Sequence, residues 1–223
     1  MKPKRIILIR HGQSEGNLDP EIYAQKPDYA LLLTELGHRQ AQDAGLRLRD
    51  LVGEGNIRFY VPPLFRTRQT FREIARAFPK SQFRHSEEPR LREQEWGHLR
   101  DREACDAVDK ARDAYGTFYY RIPDGESAAD VYDRVSDFSG TLFRDFEKES
   151  FPENAVMVTH GMTIRLFLMR WFHWTVEDFE QLSNPHNCEF LVLEQRADGR
   201  YDLASEPRRR RAKHGWRLDD GTA

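Results

Sequence analysis

The chain is poor in cysteine: Cys105 and Cys188 are its only two in 223 residues. They stand too far apart to form a metal-ligand spacing or a redox pair, so reduced thiols in a reducing compartment, the cytoplasm, are the simplest reading. Neither is a good nucleophile candidate. Net charge is nearly missing as well, with Lys+Arg 35 against Asp+Glu 37 and a formal balance of -2. That excludes a general attraction for nucleic acid and requires any anion site to be local. Long apolar runs are absent too. The basic opening Met1-Lys2-Pro3-Lys4-Arg5 looks like the start of a secretory signal, but only four strongly apolar residues follow before Arg10, too few for a signal core or a membrane span. No dinucleotide fingerprint, P-loop, zinc-ligand spacing, internal repeat or low-complexity linker is found. These absences leave a soluble intracellular protein. With 39% hydrophobic and 12% aromatic residues, it can bury one substantial core in a single α/β domain.

The densest signal lies near the start. Ile6-Ile7-Leu8-Ile9 runs directly into Arg10-His11-Gly12-Gln13-Ser14-Glu15-Gly16-Asn17. Four apolar residues bounded by charges read as a strand buried on both faces, whose carboxyl end carries a binding crevice. Arg10 and His11 there, followed by a glycine that lets a ligand approach the backbone, suit an anion pocket with a nucleophile in it. The triplet alone reads more readily as an ordinary hydrogen-bonded loop.

Residues 19–33, with Pro20 and Pro27, show little periodicity and should cross the surface near the pocket mouth. Thr34 caps a helix whose apolar stripe is Leu36, Ala41, Ala44, Leu48 and Leu51, ending at Gly53. A strand over 57–61 stops at Pro62-Pro63. The helix that follows runs to about Phe78 and holds Arg66 in its first turn, where unpaired amides also favour an anion; on the residues alone, Arg66 and Arg68 read more readily as a solvated face. A short strand over 82–86 leads to a loop, Leu91 to Gly97, with two carboxylates, Glu93 and Glu95. Residues 101–120 form one or two helices over the pocket. Pro123 to Ser127 turns into a long helix with Ala128, Val131, Val135, Phe138, Leu142, Phe143 and Phe146 on its apolar face. A second apolar strand, 155–159, ends in His160-Gly161 and a helix begun by Thr163, repeating the opening plan. A short helix over 175–182, a last core strand over 188–194 and a hairpin through 197–204 complete the domain. Arg208-Arg209-Arg210-Arg211 reads as a solvated tail, with a nuclear signal or an anionic membrane surface as the alternatives.

The string R-H-G-Q-S-E-G-N resembles the signature of the histidine phosphatase superfamily, which includes the phosphoglycerate mutases. L-T-E-L-G-H-R-Q-A around Gly37 and Gln40, R-T-R-Q-T from Arg66, L-R-E-Q-E-W-G around Glu93, G-E-S at 125–127 and T-H-G at 159–161 resemble further elements of that family, in its order. The resemblance implies a three-layer α/β sandwich with a mostly parallel central sheet flanked by helices. Residues 1–206 would be one domain carrying a cap at about 98–125, and 207–223 a basic tail. It implies that His11 accepts phosphate, that Arg10, Arg66 and His160 hold it, and that Glu93 protonates the leaving oxygen, with Glu95 as runner-up. Asn17, Ser14 and Gly12 would contact the substrate, with no metal and no cofactor. The run from Tyr120, Y-R-I-P-D-G-E-S-A-A-D-V-Y-D-R-V, looks like the plant and fungal phosphoglycerate-mutase-like phosphatases. Where true mutases carry tyrosine-glycine after the acid and H-G-N-S at the second histidine, this chain has Trp96-Gly97 and His160-Gly161-Met162-Thr163. The expected activity is therefore hydrolysis of small phosphomonoesters through a phosphohistidine. A cofactor-dependent mutase and a non-catalytic phosphate-binding module are the alternatives.

Overall fold

The structure is a computed structural model that describes residues 2–97 and 102–209. The opening apolar run forms β1 (Arg5–Arg10), with Ile6 to Ile9 wholly buried. One helical turn, α1 (Glu15–Leu18), and two 3-10 turns, Pro20–Ala24 and Asp28–Ala30, lead to α2 (Glu35–Val52). Helix α2 begins as expected, with the Gly37 N–H donating to Thr34 Oγ1, and stops at Gly53. There follow β2 (Ile57–Val61), α3 (Phe65–Ala75), β3 (Phe83–Glu87), α4 (Arg102–Tyr115), α5 (Ala128–Phe146), β4 (Asn154–Thr159), α6 (Gly161–Phe172), α7 (Val176–Glu180), β5 (Phe190–Gln195) and β6 (Tyr201–Leu203).

The strands form one sheet in the order β3-β2-β4-β1-β5-β6. The first four are mutually parallel; β5 runs antiparallel to β1, and β6 antiparallel to β5. Because side chains alternate across a strand, the continuous run of β1 serves two cores at once. Ile7 and Ile9 meet Ala41, Ala44 and Leu48 of α2 and Phe71 and Ile74 of α3. Ile6 and Leu8 meet Val131, Val135, Phe138 and Leu142 of α5 and Ile164 and Phe167 of α6. The result is the expected sandwich of helices, mostly parallel sheet and helices. No helix among the described residues is long and apolar enough to cross a membrane.

Several local expectations are corrected. Leu36 is 43% exposed and Phe143 46% exposed. Leu36 falls out of phase with the buried stripe, which Gly37 and Ala41 begin. Phe143 sits one position past the stripe and stacks on Trp171 at the sandwich edge, ring centroids 5.4 Å apart. The last core strand starts at Phe190 rather than 188, because Cys188 has a left-handed backbone (φ 56) that cannot sit in a ladder. The basic run does not leave the domain at once. The Arg208 carbonyl accepts from the Ser183 N–H, Arg209 makes an antiparallel bridge with Leu182, and the Arg209 guanidinium donates to Gln181 Oε1. Arg210, Arg211, Ala212 and Lys213 lie outside the described residues, as do residues 98–101 of the expected cap.

Candidate active site

Since β1 and β4 are parallel neighbours with Arg10 opposite Thr159, the residues that follow each strand emerge side by side. The His11 N–H donates to the Thr159 carbonyl at 2.9 Å, and the imidazoles of His11 and His160 lie 5.1 Å apart between centroids, inclined at 62°. Strand β2 lies on the other side of β4 and feeds α3, which delivers Arg66 to the same place. Its guanidinium Nη2 is 3.5 Å from His160 Nδ1. His11, Arg66 and His160 are all buried, at 4%, 2% and 0% exposure. Arg10 is held from the other side, its Nη1 donating to the Pro185 carbonyl at 2.7 Å.

The hydrogen bonds assign complementary protons to the two rings. His11 Nδ1 lies 2.7 Å from the Gly12 carbonyl, and a carbonyl can only accept, so the proton is on Nδ1 and Nε2 keeps the lone pair. A guanidinium can only donate, so His160 Nδ1 accepts from Arg66 and its proton is on Nε2. That Nε2 is buried without a hydrogen-bond partner among the described residues, and so is Nε of Arg10. Both groups are donors, and an anion bound at the strand ends would satisfy them. Burial and then the Arg66 and Arg10 charges hold His11 well below its ordinary 6.5; burial, Arg66 and the neighbouring imidazole do the same for His160. Both rings are neutral near physiological pH.

Glu93 stands on an irregular loop, yet that loop is clasped from three sides. Thr159 Oγ1 donates to the Leu91 carbonyl at 2.6 Å and Thr163 Oγ1 to the Arg92 carbonyl at 2.9 Å. From α5, Arg134 donates to the carbonyls of Arg90, Arg92 and Glu93 and pairs with Glu126. Glu126 in turn accepts from the Glu95 N–H. The G-E-S turn is thus a scaffold for the acid loop. Burial raises the Glu93 carboxyl above its usual 4.5, opposed by the Gln94 N–H, Arg66 and Arg10 and reinforced by Asp28. Glu95, the runner-up, points into solvent.

The residues expected to touch substrate divide. Asn17 Oδ1 accepts from the Ser14 N–H, the Ser14 hydroxyl and Asn187 Nδ2, which turns its own amide NH2 away from those three donors. Ser14 is 1% exposed and its hydroxyl is committed to Asn17; it orients Asn17. Gly12 is likewise structural. Its N–H donates to Thr70 Oγ1, and a Cβ there would lie 2.5 Å from the Gly37 carbonyl, while one at Gly37 would lie 2.0 Å from that of Gln13. The glycine admits helix α2. The Gln13 N–H donates to Gln40 Oε1, so Gly37 and Gln40 together pin the histidine loop.

Four contributors carried no sequence signal as site residues. Asp28 grips Arg66 through its carbonyl and its carboxylate. Tyr23 has a phenol pushed up to about 12 by burial, with Arg66, Asp28, Glu93 and Arg10 around it. Asn187 donates to the His11 carbonyl, and Arg134 acts as above. Among the described residues no group of three or more His, Cys, Asp or Glu side chains could hold a metal ion. Cys188, buried, has its thiol raised to about 12, and no thiolate chemistry is expected of it. What the site offers is an unprotonated ring nitrogen, an imidazole N–H, two guanidinium groups and a carboxyl whose proton burial holds more tightly than usual.

The profile of the histidine phosphatase superfamily (branch 1) matches residues 6–204. The phosphoglycerate mutase-like protein AT74 of Arabidopsis thaliana is 48% identical, over 91% of this chain and 68% of its own length. The broad-range acid phosphatase DET1 of Saccharomyces cerevisiae is 31% identical over 86% of each chain. Among solved structures, a mycobacterial glucosyl-3-phosphoglycerate phosphatase complexed with VO3 superposes with a TM-score of 0.73 at 22% identity, covering 92% of this chain and 99% of that one. At that identity the likeness is one of fold.

Proposed function

We propose a function from the premise that this chain belongs to the histidine phosphatase superfamily (branch 1): it hydrolyses small phosphomonoesters through a covalent phosphohistidine. His11 Nε2 attacks phosphorus in line, forming an N–P bond as the P–O bond to the leaving group breaks, and Glu93 gives its proton to the departing oxygen. Glu93, now a carboxylate, takes a proton from water, whose oxygen attacks phosphorus, releasing inorganic phosphate and restoring the imidazole. The equatorial oxygens gather charge in both steps, and Arg10, Arg66 and the His160 Nε2–H are placed to neutralise it without reorganisation. Asn17 adds a neutral hydrogen bond. The observation that carries this reading is the pairing of two facing imidazoles, Nδ1 of His11 against a carbonyl and Nδ1 of His160 against a guanidinium, which leaves one Nε2 with a lone pair and the other with a proton.

Hydrolysis is favoured over mutation of phosphoglycerate. Trp96, in the place of the mutase tyrosine, has its ring covered by the Arg112 guanidinium, and Thr163 spends its hydroxyl on the acid loop. The name of the yeast relative, a broad-range acid phosphatase, agrees with a Glu93 carboxyl that burial raises. The compartment proposed is the cytoplasm, and the cap comprises about 98–125. Phosphate release from an aryl phosphate, with His11→Ala as the control, tests the reading, together with radiolabel trapping of the phosphoenzyme. Loss of both in the variant supports it; release equal to wild type overturns it.

A further inference from the structure

Arg66 enters the pocket already carrying an anion. The Asp28 carbonyl accepts from Nη1 at 2.7 Å, and the Asp28 carboxylate accepts from Nη2 at 3.0 and 3.1 Å. Nη2 is also the nitrogen that reaches His160 Nδ1. The guanidinium nitrogen nearest His160, which a phosphoryl oxygen beside that ring needs, is therefore the one the carboxylate holds. The two partners are not equally fixed. The Arg66 side chain is 3% exposed and belongs to a core helix, whereas that of Asp28 is 32% exposed and belongs to a 3-10 turn in the 19–33 loop. If one of them yields, it is the aspartate.

We propose that Asp28 is an internal counter-anion that competes with the bound phosphoryl group for Arg66 and so sets how tightly the pocket holds inorganic phosphate. Its role in product release rests on the phosphatase reading; its effect on phosphate affinity does not. An entering phosphate displaces the carboxylate from Nη2 while the backbone carbonyl keeps Nη1 and the rotamer. After hydrolysis the carboxylate retakes Nη2 and phosphate leaves. A residue that only positioned Arg66 would act with the opposite sign: removing its charge would loosen the arginine and weaken phosphate binding.

The test is calorimetric titration of inorganic phosphate into the full chain at fixed pH and ionic strength, for wild type, Asp28→Asn, Asp28→Glu and Glu21→Gln. Asp28→Asn keeps the shape and the backbone contact, and should bind phosphate roughly tenfold tighter, about 1.4 kcal/mol, with kcat and KM falling together. Asp28→Glu, which keeps the charge, should bind as wild type does. Glu21→Gln removes an exposed charge from the same loop and should change nothing. Asp28→Ser replaces the amide should that variant not fold. Equal or weaker phosphate binding without the carboxylate overturns the inference; accompanied by His11-dependent turnover, it leaves the phosphatase standing. Tighter binding in a protein that cleaves no ester sinks the phosphatase and keeps the counter-anion.

Discussion

Arg134→Met should separate the acid loop's position from the rest of the catalytic machinery. Arg134 is a helix residue whose side chain is 11% exposed. It donates at 2.7, 2.8 and 3.0 Å to three carbonyls of the loop that carries Glu93, and pairs with Glu126 at 3.0 Å. Removing one partner of a buried, hydrogen-bonded ion pair costs about 3–5 kcal/mol, and the lower end is expected because Thr159 and Thr163 still hold the loop. The fold should survive with a lower melting temperature. Displacing a catalytic group by about 1 Å costs on the order of 10²-fold in the step it serves. That step is protonation of the leaving group, so kcat/KM for an alkyl phosphate should fall by about 10²-fold while that for p-nitrophenyl phosphate, whose phenolate departs without a proton, changes by no more than about threefold. Steady-state kinetics on both esters, below the variant's melting range, decide the matter. An equal loss on both esters, or no loss on the alkyl ester, would refute the claim that Arg134 acts through Glu93.

Gly37→Ala should destabilise the fold by about 1–3 kcal/mol as an overpacked contact, since the new carbon would meet the Gln13 carbonyl at 2.0 Å; a thermal melt unchanged from wild type would contradict the interlock. In the pH profile, His11 is unprotonated at all pH values above its depressed value, and Glu93 keeps its proton only below its raised one, so kcat/KM should fall as pH climbs through the Glu93 value. Glu93→Gln, which cannot titrate, should lack that alkaline limb, and its persistence would exclude Glu93 as the donor. Stability should move the other way. The unfolded chain takes protons on His11 and His160 before the folded one does, so urea midpoints should drop as pH falls below about 6.5.

The order of elements was readable because each one announces itself locally. Ile6 to Ile9 and Ala155 to Thr159 are apolar runs of strand length, and Thr34, Gly53, Pro62 and Ser127 punctuate them. The convergence of His11, Arg66 and His160 was readable because each follows a strand or opens a helix, and parallel neighbours deliver such residues to one edge. Asp28, Tyr23 and Asn187 were not, because they lie in irregular segments whose course is set by contacts distant in the chain, and no periodicity reports those. Arg134 was hidden by the reverse fault: its helix was evident, but nothing local tells a clamp from a solvated arginine. Gly12 and Ser14 show a further limit. Their residue types suit both a ligand and a tight backbone packing, and nothing local in the sequence announces the packing against Gly37 and Asn17.

The place of β1 has a consequence for biosynthesis. Its two partners pair Arg5 with Asn154 on one edge and with Glu194 on the other, so neither exists when β1 leaves the ribosome. At about 5–20 residues per second, translation leaves Ile6 to Ile9 without either neighbour for on the order of ten seconds. A nascent chain stalled short of residue 154 holds the His11 imidazole but neither strand that flanks it in the folded sheet, and it leaves both edges of an apolar strand unpaired.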